Sequence, residues 1–335
     1  MTIAQRFDEF LKALRPSDGQ LDLVKTELDF LESKLKDFVV DDDRYHLVKV
    51  LRSGGYAKST LLKRHETGDF DADAAIYIKA ADGEAPPLKN LLDYVEALLR
   101  RAYENRTKRK PTFDRGPKSA VRVKFEVTPK INIDAVPVID LPHDSIPNWG
   151  TIPRRDGELR NTSISEHVRF VADRNKVRGA VPFHQLLMLA KWWRNHSFDE
   201  QLHDRFSSFA LELVFAKAFD ESARNLTGAW LGDLLAVGTW ILRHRFETPI
   251  KFPDRRVPAA TSAESADFSV IDPMNLDNNV AHDWTRDDVS LFLKEVNRLC
   301  DVMQDALNEA AADELSDASL ILDQVFPNFS NWSVE

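Results

Sequence analysis

Ile3, Phe7, Phe10 and Leu14 recur at three- and four-residue spacing until Pro16-Ser17-Asp18-Gly19 breaks the pattern. The spacing resumes through Leu21, Val24, Leu28, Leu31, Leu35 and Phe38, which predicts a long amphipathic helix closed by Asp41-Asp42-Asp43. Its apolar seam is too short for a stable coiled coil, so it is expected to pack along its own domain. His46 to Leu51 alternates as a strand, Ser53-Gly54-Gly55-Tyr56 reads as a turn, and Ala57 to Arg64 is expected to start a helix. Ala74 to Ala80 predicts a strand. Pro86 to Tyr103 predicts an amphipathic helix through Leu88, Leu91, Leu92, Val95, Leu98 and Leu99. Val121 to Val127 and Ile131 to Ile139 are β-branched runs joined at Pro129-Lys130, the pattern of a hairpin.

Beyond Asp140 the character changes. Residues 141–162 carry Pro142, Pro147, Pro153 and Gly157 and read as loop. Helical periodicity then fills 163–176, 182–196, 207–220, 226–245 and 284–312. The expected class is α+β, with a mixed lobe over 1–162 and a mostly helical lobe over 163–335, braced by the long N-terminal helix.

Composition narrows the function classes. The net charge of −9 over 335 residues argues against a protein built to coat nucleic acid. Locally, Arg100 to Lys130 holds eleven Lys/Arg against Glu104, Asp114 and Glu126, which suits either a polyanionic ligand or a solvated face. The single cysteine, Cys300, lies in an apolar helical pattern and cannot form an internal disulfide. The N-terminus lacks a secretory pattern, and the longest apolar stretch, Leu234 to Leu242, is too short to span a bilayer, so a cytoplasmic protein is expected.

Three features carry chemistry, and they occur in order. Gly54-Gly55 supplies a turn without Cβ atoms whose backbone N–H groups suit phosphate. Lys58 follows, but not at P-loop spacing. Asp71-Ala72-Asp73 leads into an apolar strand, and residues i and i+2 of a strand share a face. Two carboxylates side by side repel unless a cation lies between them, and Mg²⁺ completed by substrate phosphates is the usual solution. Asp134 lies in the apolar run Ile131 to Ile139, where an unpaired carboxylate is costly. Placed beside the pair, it makes a three-carboxylate site able to hold two metals, Mg²⁺ or Mn²⁺.

This order resembles the polymerase-β-like nucleotidyltransferases, and within them the cGAS/DncV-like family. Ser53-Gly54-Gly55-Tyr56-Ala57-Lys58-Ser59-Thr60 is similar to that family's GS-x-x-K-x-T segment, with Gly55 where Ser is common. Asp71-Ala72-Asp73 before Ala75-Ile76-Tyr77-Ile78 is similar to its metal-binding strand. Ile133-Asp134-Ala135-Val136-Pro137-Val138 is similar to the strand of its third carboxylate. In the helical half, Leu189-Ala190-Lys191-Trp192-Trp193 resembles a segment whose lysine contacts triphosphate. Ser207-Ser208-Phe209 resembles one whose serine contacts phosphate and whose aromatic stacks on the base. Ile271-Asp272-Pro273 with Asn278-Asn279-Val280 resembles a segment beside the nucleotide.

The resemblance implies a polymerase-β-like core of mixed sheet and flanking helices. It also implies a two-metal site on Asp71, Asp73 and Asp134, and nucleotide contacts from Ser53, Gly54, Gly55, Lys58, Lys191, Ser208, Phe209 and Asn279. It further implies a cyclic oligonucleotide, most simply a cyclic oligoadenylate such as a trinucleotide, made from ATP or other nucleoside triphosphates in antiphage signalling. The HORMA-associated clade, which the details most resemble, implies a HORMA-domain activator.

Several readings stay open at this point. Asp69-Phe70-Asp71 fits the usual glycine-to-carboxylate spacing better than Asp71-Ala72-Asp73 does. Lys191 also reads as a structural lysine, Phe209 as core, and Asn279 as a turn residue. An RNA-tailing nucleotidyltransferase, favoured by the basic stretch, and a non-catalytic nucleotide-binding module are the alternative functions.

Overall fold

The computed structural model describes residues 2–37, 44–63, 67, 69–81, 86–107, 109–115, 119–126, 130–154, 157–252, 267–312 and 314–331. Phe38, Asp41 to Asp43, Arg64, Val127 and Pro129, which the pattern assigns to element ends and to a hairpin turn, lie outside the described residues. Contacts gather into two compact units: Arg15–Arg169, and Met1–Leu14 together with Phe170–Glu335. The sequence pattern divides the chain at 162/163 and puts the first helix with the mixed lobe. In the structure the first helix α1 (Ile3–Leu14) is grouped with the helical unit.

In the mixed unit, α2 (Asp18–Asp37) buries Val24, Leu28, Leu31 and Leu35, the predicted seam. Each such side chain contributes about 1.5–3 kcal/mol. The sheet runs β1 (Tyr45–Ser53), β2 (Phe70–Ala80), β5 (Ile131–Asp140), β4 (Val121–Phe125), β3 (Thr112–Arg115), with β2 and β5 parallel. The return between these two strands passes through α4 (Leu88–Tyr103), as a parallel pair requires. Strand alternation then sorts the side chains. Ala72, Ala74, Ile76 and Ile78 of β2, Ile131, Ile133 and Ala135 of β5, and Val121, Val123 and Phe125 of β4 join α2 and α4 in the main core. The opposite face carries Asp71 and Asp73, then Ala75 and Tyr77, which join Val138 in a small second cluster. Tyr77 donates its hydroxyl to the Asn148 carbonyl at 2.7 Å.

Two elements depart from the pattern. A helical turn, α3, forms at Gly54–Ala57, and Leu61 to Lys63 of the helix expected over Ala57 to Arg64 are not helical. Ser59 adopts a left-handed φ of 58°, and the Thr60 N–H returns to the Gly55 carbonyl at 2.8 Å, so the chain turns out of the helix. The loop expected over 141–162 contains β6 (Trp149–Pro153) and β7 (Leu159–Ser163), which extend the sheet from the end of β5. Their prolines and polar residues hide them from a hydrophobic pattern. The fit depends on Gly150, where a Cβ would fall 2.6 Å from Val138 Cγ1 and 2.7 Å from the Ile139 carbonyl oxygen.

The helical unit is built on α6 (Phe183–Ser197), α8 (Ser208–Ser222), α9 (Trp230–His244) and α10 (Arg286–Ala311). α1 seats Phe7 against Trp230 (ring centroids 5.6 Å) and Phe10 against Trp192 (6.1 Å). The helices α5 (Ile164–Arg174), α7 (Glu200–Arg205) and α11 (Leu315–Leu322) and a small hairpin of β8 (Ile271–Asp272) and β9 (Asn275–Asn279) complete the described elements. The hairpin, α7 and α11 are too short to carry a periodic signal. No described helix is long and apolar enough to cross a membrane.

Candidate active site

The carboxylates meet through strand register. Ser53 lies opposite Asp73 on β1 and β2, Asp73 opposite Asp134 on β2 and β5, and Asp134 opposite Arg122 on β5 and β4. Asp114 on β3 continues the row beyond Arg122. One step of two residues away, a second row runs Asp71, Asn132, Lys124. Because side chains repeat every second residue, both rows stand on the sheet face opposite the main core. The spacing Asp71-x-Asp73 is matched by Asn132-x-Asp134 and Arg122-x-Lys124, all on that one face.

The contacts follow the rows. Asn132 Nδ2 donates to Asp71 Oδ1 at 2.7 Å, which orients that carboxylate. Arg122 grips Asp134 with both arms, Nε to Oδ1 and Nη2 to Oδ2, each at 2.7 Å, and its Nη2 lies 3.7 Å from Asp71 Oδ2. The hydrogen bond to Asp134 is the largest influence on Arg122. With the charges of Asp134 and Asp71 it outweighs the cost of burial and holds the guanidinium pKa above its ordinary value. Lys124 pairs with Asp114.

Gly54 fixes the position of Asp73. Its φ is +57°, and a Cβ there would fall 1.8 Å from Asp73 Oδ2 and 2.5 Å from its Cγ. The glycine is therefore required twice, by backbone conformation and by the carboxylate against it. Gly55 is ordinary by comparison, since a Cβ there meets Leu61 Cα at 3.4 Å. Ser53 is buried and caps α3 with extended backbone, without a side-chain cap hydrogen bond. Lys58 is half-buried at the end of α3, its N–H donating to the Gly54 carbonyl at 3.3 Å.

Asp69 takes no part in either row. It precedes β2, and its Oδ1 accepts from the Lys130 N–H at 2.9 Å. The geometry therefore groups Asp71 and Asp73, not Asp69, with Asp134.

The donor set of Asp71, Asp73 and Asp134 is all carboxylate oxygen, the chemistry of a hard divalent cation. Among the described residues no three acidic, histidine or cysteine side chains are drawn together into a formed metal centre. Both oxygens of Asp134 are instead held by Arg122.

In the helical unit, Lys191 is half-buried on α6, between the buried Ala190 and Trp192. Ser207 caps α8, accepting from the Ala210 N–H at 3.2 Å, which leaves Ser208 exposed and Phe209 half-buried in the first turn. Arg194, one helical turn beyond Lys191, donates to the Phe206 carbonyl at 2.5 Å and the His203 carbonyl at 2.6 Å, tying α6 to the segment that leads into Ser207. Asn279 is buried and engaged with backbone. Its Oδ1 accepts from the Val270 and Ala281 N–H groups, and its Nδ2 donates to the Phe268 carbonyl.

Arg122, Asn132 and Lys124 were not singled out from sequence. Their signal was the shared two-residue spacing, which becomes meaningful only once β4 and β5 are paired in register. Five members of the basic stretch are spent internally. Arg106 pairs with buried Glu27, Arg115 with Asp93 and Glu96, Arg100 with Glu96, and Arg122 and Lys124 with the acids named above.

Comparison with known proteins gives consistent results. The family described as Second Messenger Oligonucleotide or Dinucleotide Synthetase domain matches residues 1–175. Over 270 residues, 78% of each chain, the sequence is 31% identical to a cyclic AMP-AMP-AMP synthase of Escherichia coli (strain MS 115-1). It is 24% identical over 302 residues to a CBASS oligonucleotide cyclase, CdnC, of Escherichia coli (strain KTE188), covering 90% of this chain and 89% of that one. The fold is similar to that of E. coli MS115-1 CdnC solved with ATP, with a TM-score of 0.76, 24% identity and 98% of each chain covered. The same enzyme has also been solved in a complex with HORMA-deltaN, to which the TM-score is 0.74, at 24% identity and with 97% of each chain covered.

Proposed function

Because the chain belongs to the Second Messenger Oligonucleotide or Dinucleotide Synthetase family, we propose that it joins nucleoside triphosphates, ATP foremost, into a cyclic oligoadenylate for antiphage signalling. The observation that carries this reading is the cross-strand row Ser53, Asp73, Asp134, with Asp71 one step away and Gly54 against Asp73. A cyclic trinucleotide is the simplest product, in keeping with the 31% identical relative.

In each step the ribose hydroxyl of one nucleotide attacks the α-phosphate of a triphosphate. The O–Pα bond forms as the hydroxyl gives up its proton to solvent, the bond from Pα to the bridging oxygen breaks, and pyrophosphate leaves with that oxygen. Asp71 and Asp73 would hold two divalent ions, Mg²⁺ or Mn²⁺, with Asp134 on the one nearer the attacking hydroxyl. Such ions, when bound, supply Lewis acidity to the hydroxyl and to the leaving pyrophosphate. The chain does the positioning. Asn132 orients Asp71, and Gly54 allows Asp73 its place. The backbone of Gly54 and Gly55 with Ser53 and Lys58 receives phosphate. Lys191 and Ser208 add phosphate contacts, and Phe209 offers a face for the base. Asn279 serves through the backbone it holds around 268–281. A HORMA-domain protein is the proposed activator, by analogy with the CdnC complex.

The test is incubation with ATP and Mg²⁺, alone and with a HORMA-domain partner, with products identified by mass spectrometry. A cyclic oligoadenylate lost in Asp134→Ala supports the reading. Absence of pyrophosphate release under every condition, with Asp134→Ala indistinguishable from wild type, overturns it. The RNA-tailing alternative is less favoured, because Arg100, Arg106, Arg115, Arg122 and Lys124 of the basic stretch are paired with acids of their own unit.

A further inference from the structure

Four carboxylates, Asp71, Asp73, Asp114 and Asp134, share one sheet face with two cations, Arg122 and Lys124. The two cations are not evenly placed. Arg122 occupies both oxygens of Asp134 in a two-armed clamp and reaches toward Asp71, with side-chain exposures of 17% for Arg122 and 12% for Asp134. A guanidinium fork uses the same in-plane directions that a metal ion would use on that carboxylate. The site thus contains its own substitute cation, seated on the carboxylate proposed to serve the attacking hydroxyl.

A second observation gives that cation somewhere to go. Asp114 is the neighbour of Arg122 on the far side, directly opposite it on β3. One of its oxygens, Oδ2, pairs with Lys124, whereas Oδ1, the inward atom of a side chain that is 43% exposed, has no hydrogen-bond partner among the described residues. An unmatched buried carboxylate oxygen is costly and calls for a donor. Arg122 stands between a carboxylate it holds with both arms and one that has an oxygen without a donor among the described residues.

We propose that Arg122 competes with the metal for Asp134, and that metal loading moves its guanidinium from Asp134 to Oδ1 of Asp114. Arg122 is then a positioning residue acting through Asp134. It keeps the third carboxylate neutralised until a divalent ion arrives and limits occupancy of the site when divalent ion is scarce. The inference rests on the metal-binding role proposed above for Asp71, Asp73 and Asp134.

The test measures Mn²⁺ binding to the full chain without nucleotide, by electron paramagnetic resonance of the free ion, so turnover is not the readout. Arg122→Gln is expected to bind Mn²⁺ about tenfold more tightly than wild type, because the competitor is gone. Asp114→Asn weakens the destination and is expected to bind severalfold less tightly. In the double variant the loss caused by Asp114→Asn should vanish. A purely structural clamp predicts the opposite for Arg122→Gln, a looser site and weaker binding. Equal or weaker binding by Arg122→Gln therefore overturns the competition. Should Arg122→Gln fail to fold by circular dichroism, Asp114→Asn decides alone, and unchanged affinity there overturns the proposal. Asp73→Asn separates the two levels of inference. If it abolishes Mn²⁺ binding while Arg122→Gln changes nothing, the metal centre stands and the competition falls. If it leaves Mn²⁺ binding intact, the centre itself is wrong and the competition falls with it.

Discussion

Replacing Gly54 with alanine tests how tightly the turn and the carboxylate are coupled. The new Cβ would lie 1.8 Å from Asp73 Oδ2, and the backbone φ of +57° is one that side chains disfavour. An ordinary carbon–oxygen contact is about 3.4 Å, so the carboxylate or the turn must shift by roughly 1.5 Å. Displacing a reacting group by about 1 Å costs on the order of 10²-fold in rate, so turnover should fall by at least that much. Stability should suffer less. A left-handed non-glycine residue costs roughly 1–2 kcal/mol, and each kcal/mol lowers Tm by about 2–4 °C in a unit of this size. The assay is pyrophosphate release from ATP with Mg²⁺ at a temperature where circular dichroism shows the variant folded. Gly55→Ala is the control. Its Cβ meets Leu61 Cα at an ordinary 3.4 Å and leaves Asp73 in place, so a loss below about tenfold is expected. Wild-type turnover by folded Gly54→Ala, or equal losses in the two variants, would refute the argument that this glycine exists to seat Asp73.

The same reasoning extends elsewhere. Asp73→Asn should cut pyrophosphate release by about 10³-fold or more, while Asp69→Asn, whose carboxylate receives the Lys130 N–H, should stay within a few-fold. The reverse order would restore the Asp69/Asp71 pairing. Asp233, 0% exposed, accepts from the N–H groups of Val181 at 2.9 Å, Thr227 at 2.7 Å and Gly228 at 3.3 Å. Asp233→Ala leaves those donors buried and should cost about 3 kcal/mol in urea unfolding; a loss below about 1 kcal/mol would contradict it. Burial pushes the Cys300 thiol up to about 12. At pH 8 its thiolate fraction is therefore on the order of 10⁻⁴, against about 10⁻¹ or more in an unfolded chain. Iodoacetamide should label it only after unfolding, as followed by intact mass, and rapid native labelling would contradict the burial.

Much of the candidate site was legible because it is local. Asp71 and Asp73 share a face by the period of a strand, and Gly54-Gly55 announces a turn without side chains. Asp134 stands out as a lone acid in an apolar run. The choice between Asp69 and Asp73 was not legible, since all three acids have the same parity. Register supports Asp73, setting it against both Asp134 and Gly54 while Asp69 turns to the Lys130 backbone. The strands β6 and β7 escaped for a related reason. Their pairing depends on the backbone ladder and on Gly150 lying close to β5, neither of which leaves a hydrophobic rhythm.

The sequence by itself determined the longer helices and the central strands, which faces are apolar, and which carboxylates are costly without a cation. These follow from periodicity and from the chemistry of single side chains, and they need no partner strand. Only the tertiary structure decided what neutralises those carboxylates. It paired Arg122 with Asp134 and Arg106 with Glu27, making internal counter-charge of these two members of the basic stretch, and it set the Asn132 amide against Asp71. Hydrogen bonds and ion pairs act over about 3 Å, and only strand register and helix packing bring residues so far apart in the chain within that distance.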